Sequence, residues 1–129
     1  MTQFRDLGVA EDICFALAAR GIDSPFQIQS LVIPEALRRG DVLAKSPTGS
    51  GKTLAFAIPI IQSADVDAKR PGALVLVPTR ELAAQVTEEF ELISGGGLKV
   101  ASVYGGVPLK AQAQEAKAAH VLVATPGRL

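Results

Sequence analysis

Three short runs of apolar, largely β-branched residues constrain the fold of this chain most: "ALVLV" at 73–77, "KVASVY" at 99–104 and "HVLVA" at 120–124. They mostly lack the polar alternation of a strand with one wet face, so they suit strands covered on both sides, as in a parallel sheet. A fourth run, "DVLA" at 41–44, feeds directly into a glycine-rich loop. Helical patterns over 53–62, 80–93 and 108–119 lie between the runs. Parallel strands need crossover connections, which a repeated strand and helix order supplies. The expectation is an α/β fold, a parallel sheet with helices on both faces and about four strands.

Two helices are expected ahead of the first strand. In "VAEDICFALAARG", Val9, Ile13 and Leu17 share one face, and Gly21 stands where a C-terminal cap belongs. "SPFQ" reads as a capping box with Ser24 as N-cap, Pro25 at the first helical position and Gln27 reaching back. Pro34 should restart that helix and Gly40 should end it, while Pro59 should bend or end the next one. The segment "SADVDAKRPG" at 63–72 reads as a solvated loop. The division expected is a helical lead-in over 1–40 and an α/β part over 41–129.

Lysine plus arginine and aspartate plus glutamate number 13 each, so nucleic-acid binding would rest on local placement of cations and backbone donors. Cys14 is the only cysteine, which excludes an internal disulfide and a cysteine-based metal site and suits a reducing compartment. No apolar run is long enough for a membrane span, and "MTQFRDLG" lacks the apolar core of a signal peptide. A soluble cytoplasmic chain is expected.

The loop "SPTGSGKT", 46–53, carries the chemistry. A nucleoside triphosphate concentrates negative charge on a compact group, and glycines let backbone N–H groups converge on it. Gly49 and Gly51 would open that approach at a helix N-terminus, where the dipole favours an anion. Lys52 would reach the terminal phosphates and the Thr53 hydroxyl would ligate Mg2+. The general phosphate-loop pattern wants glycine at 46, where this chain has Ser46. The plain alternative is a Gly/Ser turn; the apolar run before the loop and "LAFAIPII" after it argue for phosphate binding.

The order of motifs resembles that of the DEAD-box RNA helicases over the whole chain. "GIDSPFQIQ", 21–29, resembles their Q motif, with Phe4 in the place of the isolated upstream aromatic. "SPTGSGKT" resembles motif I, "PTRELA" at 78–83 motif Ia, Gly105 with Gly106 the glycine doublet, and "TPGRL" at 125–129 motif Ib. The resemblance implies a RecA-like domain that binds ATP with Mg2+ and contacts RNA through its backbone, without reading sequence. It gives the nucleotide to Phe4, Pro25, Gln29, Ser46, Pro47, Thr48, Gly49, Ser50, Gly51, Lys52 and Thr53. A glutamine amide can pair with the donor and acceptor edge of adenine while an aromatic ring covers its face, and the resemblance gives these jobs to Gln29 and Phe4. The family usually has an aromatic where this chain has Ile22, a loss of packing that leaves the glutamine's role intact. RNA contact falls to Pro78, Thr79, Arg80, Gly105, Gly106, Thr125, Pro126, Gly127 and Arg128. The plainer readings are that Phe4 anchors the core, Gln29 faces solvent and the threonines merely cap helices. His120 is expected to be structural, Tyr104 to pack rather than stack on a base, and Lys99, Lys110 and Lys117 to be solvated.

Hydrolysis needs carboxylates for the metal and the attacking water, and a cation at the transition state. The three later strands lead into Pro78, Gly105 and Thr125, not into acidic residues. The resemblance places the family's carboxylates, its Ser-Ala-Thr segment and a second RecA-like domain beyond Leu129. The chain is therefore expected to bind nucleotide weakly and hydrolyse almost none, with an open sheet edge prone to self-association. Two alternatives stand beside this: a binding module without turnover, and another phosphate-loop enzyme such as a small kinase or a DNA helicase.

Overall fold

The computed structural model describes residues 2–46, 51–67, 71–95, 97–104, 113 and 116–128. The chain forms two compact units, Met1–Ser63 and Ala64–Leu129.

The first unit holds a 3-10 turn, Phe4–Leu7, and three helices: α1 (Glu11–Ala19), α2 (Gln27–Leu37) and α3 (Lys52–Ser63). Val9, Ile13 and Leu17 are buried as their spacing predicts. Gly21, at φ 77°, follows α1 in the left-handed conformation. Its N–H donates to the Ala18 carbonyl at 2.9 Å and that of Ile22 to Leu17 at 2.9 Å, which closes the helix in a Schellman motif.

Helix α2 departs from expectation at both ends. It begins at Gln27, so Phe26 stands at the N-cap, and the side chain that reaches back is Gln29, not Gln27; its Oε1 accepts the Phe26 N–H at 2.9 Å. Pro34 lies inside the helix instead of restarting it. The helix stops at Leu37, and the left-handed position after it is taken by Arg39, at φ 63°, not by Gly40. The Gly40 N–H still donates to the Glu35 carbonyl at 3.2 Å, so an arginine occupies a site where glycine is easier. Pro59 sits buried within α3 and does not end it. Near the end of α3, Gln62 clamps the chain ahead of α1: its Nε2 donates to the Gly8 carbonyl at 2.9 Å and its Oε1 accepts the Ala10 N–H at 2.8 Å.

The run at 41–44 is not a strand. Extended backbone becomes a strand only where a neighbour takes up its N–H and C=O groups, and no described segment pairs with it. Residues 41–45 are exposed, Leu43 fully so at 102%.

The second unit carries a three-stranded parallel sheet of β1 (Ala73–Leu76), β2 (Val100–Val103) and β3 (Val121–Ala124), in the order β1, β3, β2. The central place of β3 explains its unbroken apolar character, since Val121, Val123 and Ala124 are all buried. Helix α4 (Arg80–Ser94) links β1 to β2 and lays Ala83, Val86, Phe90 and Ile93 into the core. The Thr79 hydroxyl caps its start by accepting the Leu82 N–H at 3.2 Å, and Gly95 ends it at φ 63°. Of the helix expected over 108–119, residues 113 and 116–118 are helical, Ala119 is not, and 108–112, 114 and 115 lie outside the described residues. On the edge strand β1, Leu74 and Leu76 remain about half exposed.

Two polar contacts fix this unit. His120 ties the strand ends, its Nδ1 accepting the Lys99 N–H at 2.9 Å and its Nε2 lying 2.9 Å from the Val66 carbonyl, which makes it structural as expected. Thr87 on α4 donates to the Ala83 carbonyl at 2.8 Å, so its oxygen accepts from the Ser102 hydroxyl on β2 at 2.6 Å. In a double-mutant cycle followed by urea unfolding, Thr87→Val and Ser102→Ala should each lose about 1 kcal/mol, and the pair less than the sum. Additive losses would mean the hydroxyls do not couple helix to sheet.

Candidate functional site

The nucleotide-side residues of the first unit converge on Gly51. Gly51 adopts φ 81°, a conformation that disfavours a side chain. A Cβ there would run into the Gln29 amide nitrogen and come within 2.9 Å of Cδ2 of the Phe26 ring. The Gly51 carbonyl accepts two bonds, from the Ala55 N–H at 3.3 Å and from Gln29 Nε2 at 3.1 Å. It thereby starts α3 and receives the glutamine at the same atom.

Gln29 is buried, at 2% exposure, and is the one buried polar side chain among the described residues. It does not face solvent as the plainer reading has it. Its amide uses one acceptor site on Phe26 and one donor on Gly51. A primary amide offers two donors and two acceptor sites, so one of each remains unspent. That remainder is the pair a purine edge with adjacent donor and acceptor requires.

Lys52 and Thr53 open α3, the lysine exposed and the threonine half-buried, at a helix N-terminus where orphan N–H groups favour an anion. Pro25 is half-buried in the entry to α2, and Ser46 is half-buried before the loop. Pro47, Thr48, Gly49 and Ser50 lie outside the described residues. Phe4 is 3% exposed, in a turn that packs against α1 and α2, so its ring is a core element here.

In the second unit the described residues expected to meet RNA lie at the carboxyl ends of β1 and β3, where open α/β sheets bind their ligands. The register sets Leu76 beside Ala124 and Val103 beside Ala124, which brings the segments after all three strands to one edge. Thr79 and Arg80 follow β1, exposed at the start of α4. Thr125 follows β3, half-buried, its N–H donating to the Val103 carbonyl at 3.0 Å. Pro126 and Gly127 are exposed in a 3-10 turn, Pro126–Arg128. Gly105 and Gly106 lie outside the described residues.

Two aromatic residues lie at these places, Phe26 and the half-buried Tyr104, expected to pack. The Arg80 guanidinium sits over the Tyr104 ring, 5.1 Å from its centroid, so the tyrosine orients the arginine. Phe26, 59% exposed, adjoins Gly51 and Gln29. A phenylalanine is a poor N-cap, and only the observed start of α2 places Phe26 in that position. No cluster of three or more His, Cys, Asp or Glu that could hold a metal occurs among the described residues, and no described helix is long and apolar enough to cross a membrane.

The DEAD/DEAH box helicase family model matches residues 26–129. The chain is 46% identical over 128 residues to a putative ATP-dependent RNA helicase of Caenorhabditis elegans, covering 98% of this chain and 26% of that protein. It is 42% identical to the ATP-dependent RNA helicase DbpA of Bacillus subtilis, covering 100% of this chain and 27% of the relative. Among solved structures, a DEAD box protein from Methanococcus jannaschii superposes with a TM-score of 0.93 at 38% identity, over 99% of this chain and 36% of that one. An RNA helicase from Chaetomium thermophilum bound to ADP gives 0.86 at 36% identity, over 99% and 33%. The chain thus spans about a quarter of the length of the curated relatives it matches.

Gly51→Ala should lower thermal stability by more than the 1–2 kcal/mol or so that left-handed strain alone costs, because the new methyl meets Gln29. In the Gln29→Ala background, where the clashing amide is gone, Gly51→Ala should cost less than it does in the parent. Melting curves of the two single variants and the double variant test this; an equal cost in both backgrounds would mean no clash with the amide.

Proposed function

The chain belongs to the DEAD/DEAH box helicase family, and from that premise we propose that it is the part of an ATP-dependent RNA helicase that takes up ATP and RNA backbone. The observation that carries the proposal is the Gln29 amide, buried against the Gly51 carbonyl with one donor and one acceptor in reserve. Adenine offers the complementary pair on one edge, whereas guanine presents a carbonyl where adenine has its amino group. The site therefore favours ATP over GTP.

The residues fit a bound nucleotide. Gly51 lets the Gln29 amide approach the loop backbone, where any side chain would collide with it, and backbone donors at the start of α3 would face the phosphates. Lys52 would neutralise the terminal phosphates and Thr53 would hold Mg2+, which supplies charge neutralisation there when bound. Ser46, Pro47, Thr48, Gly49 and Ser50 complete the cradle in this reading. Pro25 sets the entry to α2, and Phe4 packs on the helix that carries Gln29.

RNA backbone would be met by Pro78, Thr79, Arg80, Gly105, Gly106, Thr125, Pro126, Gly127 and Arg128. Support comes from the strand-end position of the described ones, Pro78, Thr79, Arg80, Thr125, Pro126, Gly127 and Arg128, and from an arginine already oriented by Tyr104. Contacts of this kind hold phosphates without reading bases. A second RecA-like domain is the partner proposed for the motor. The half-exposed Leu74 and Leu76 on β1 favour self-association of the chain alone. Cytoplasmic residence rests on the single cysteine, Cys14. The binding-module reading gains from one sequence fact: no acidic residue directly follows β1, β2 or β3. The 129-residue chain itself should then bind without turnover.

Titration of Mg-ATP and Mg-GTP with phosphate release followed in parallel tests the nucleotide claim. ATP should bind more tightly, Lys52→Ala and Gln29→Ala should each weaken it at least tenfold, and release should stay at background with RNA present. RNA-stimulated release abolished by Lys52→Ala would overturn the binding-only reading, and equal affinity for GTP would overturn the role of Gln29. For RNA, affinity for a single-stranded homopolymer measured across salt concentrations should show the slope fall by about one in Arg80→Ala. An unchanged slope would take Arg80 out of the phosphate contact.

A further inference from the structure

We infer that Gln62 is a positioning residue for phosphate binding: by strapping the far end of α3 to the segment ahead of α1, it keeps the near end, Gly51, Lys52 and Thr53, in register with Gln29. The inference rests on the nucleotide reading above and adds to it a residue remote from the ligand.

The contacts of the first unit fix how α2 and α3 lie. Their starts meet, because Gln29, near the beginning of α2, donates from Nε2 to the Gly51 carbonyl at 3.1 Å. Their ends meet through Gly8. Gln62 Nε2 donates to the Gly8 carbonyl at 2.9 Å, and a Cβ on Gly8 would stand 3.3 Å from Cδ1 of Leu37, the last residue of α2. The two helices pack on each other and therefore run side by side in the same direction. The candidate nucleotide site lies at one end of the pair and the Gly8 junction at the other.

Each end is closed by a glutamine amide that bonds two backbone groups. Gln29 takes the Phe26 N–H and the Gly51 carbonyl, and Gln62 takes the Ala10 N–H at 2.8 Å and the Gly8 carbonyl. The junction that Gln62 grips is itself anchored to α2. Gly8 is left-handed at φ 96°, its N–H donates to the Arg5 carbonyl at 3.1 Å and that of Val9 to the Phe4 carbonyl at 3.3 Å. Phe4 is buried in the turn that packs on α2. A slide of α3 along α2 would break both bonds of Gln62.

Apolar packing is non-directional and resists such a slide weakly, whereas a two-bond amide sets a position along the axis. Pro59, inside α3, removes one bond of the helical ladder, so the last turn needs a hold of its own. The 12 residues of α3 make a rod of about 18 Å that carries this hold to its start. On the other side of Gly51 no described ladder anchors the chain, since residues 41–45 are exposed and unpaired. Donors that must converge on a phosphate therefore depend on where α3 is held.

Solvent exchange of the Gln29 side-chain amide, read by NMR, and isothermal titration with Mg-tripolyphosphate test this on the 129-residue chain. Gln62→Met keeps the side-chain length and loses both bonds; Gln62→Glu keeps the acceptor alone and is the milder change. Both should speed Gln29 exchange and weaken tripolyphosphate, the methionine about fivefold. Lys52→Ala should weaken tripolyphosphate and leave Gln29 exchange as in the parent. Ile13→Val, which thins the core at α1 without touching either amide, should lower the melting temperature and change neither readout. Parent-like exchange or parent-like tripolyphosphate affinity in both Gln62 variants, with Lys52→Ala still weakened, would leave the nucleotide reading standing and overturn the positioning role. Equal effects of Ile13→Val would overturn it too, by reducing Gln62 to general stability. Indifference of tripolyphosphate to Lys52→Ala would overturn the nucleotide reading and this inference with it.

Discussion

The first unit depends on one buried amide. Gln29 joins the backbone at Phe26 to the backbone at Gly51, 22 residues further on, and so ties the start of α2 to the start of α3. A buried amide left without partners costs about 1–3 kcal/mol, so the side chain is held where both are present. Residues 41–46 leading toward the loop have no ladder to hold them. The position of Gly51 therefore rests on α3, which it begins, and on the glutamine. Whatever contacts the remaining capacity of that amide acts directly on the residue that ends the glycine loop, through a single hydrogen bond of 3.1 Å.

The second unit solves a different problem, that of presenting cations from a chain with no net charge. The parallel sheet directs the segments after β1, β2 and β3 to one edge, with β3 in the middle. Thr79 caps α4 with its hydroxyl, which leaves Arg80 at the first helical position beside the helix's orphan N–H groups. Tyr104, one residue past β2, takes the guanidinium over its ring. A guanidinium stacked by its face keeps its in-plane N–H donors for a phosphate, an arrangement a lysine could not reproduce. Local geometry thus provides what overall charge does not.

Much of this was legible in the sequence, and the exceptions share a cause. The runs at 73–77, 99–104 and 120–124 became strands, and Val9, Ile13 and Leu17 were buried, because apolar pattern is decided within a few residues. The run at 41–44 reads equally well as a strand, but a strand needs a partner elsewhere in the chain. Capping shows the same limit. Ser24 with Gln27 is the better local box, yet α2 starts two residues later, at Gln27, because Gln29 then gains a second bond, to Gly51, that no local rule contains. Pro34 and Arg39 sit where a helix would rather not have them, the first inside α2 and the second left-handed after it. The loop at 46–53 was legible because its chemistry is spelled by adjacent residues; Phe26 was not, since its place beside the amide follows from the shifted cap.

Binding a triphosphate and cleaving it make different physical demands. Holding a triphosphate takes donors that converge at one point, which the start of a single helix can offer, as α3 does with Lys52 and Thr53 at its head. Cleaving it takes carboxylates held at set distances from metal and water, which parallel sheets place at strand ends. Here β1 leads into Val77 and Pro78, β2 into Tyr104, and β3 into Thr125, residues that can pack, orient or donate but carry no carboxylate. The same strand ends that withhold a general base are therefore suited to an anionic backbone, which an acidic side chain in those positions would repel.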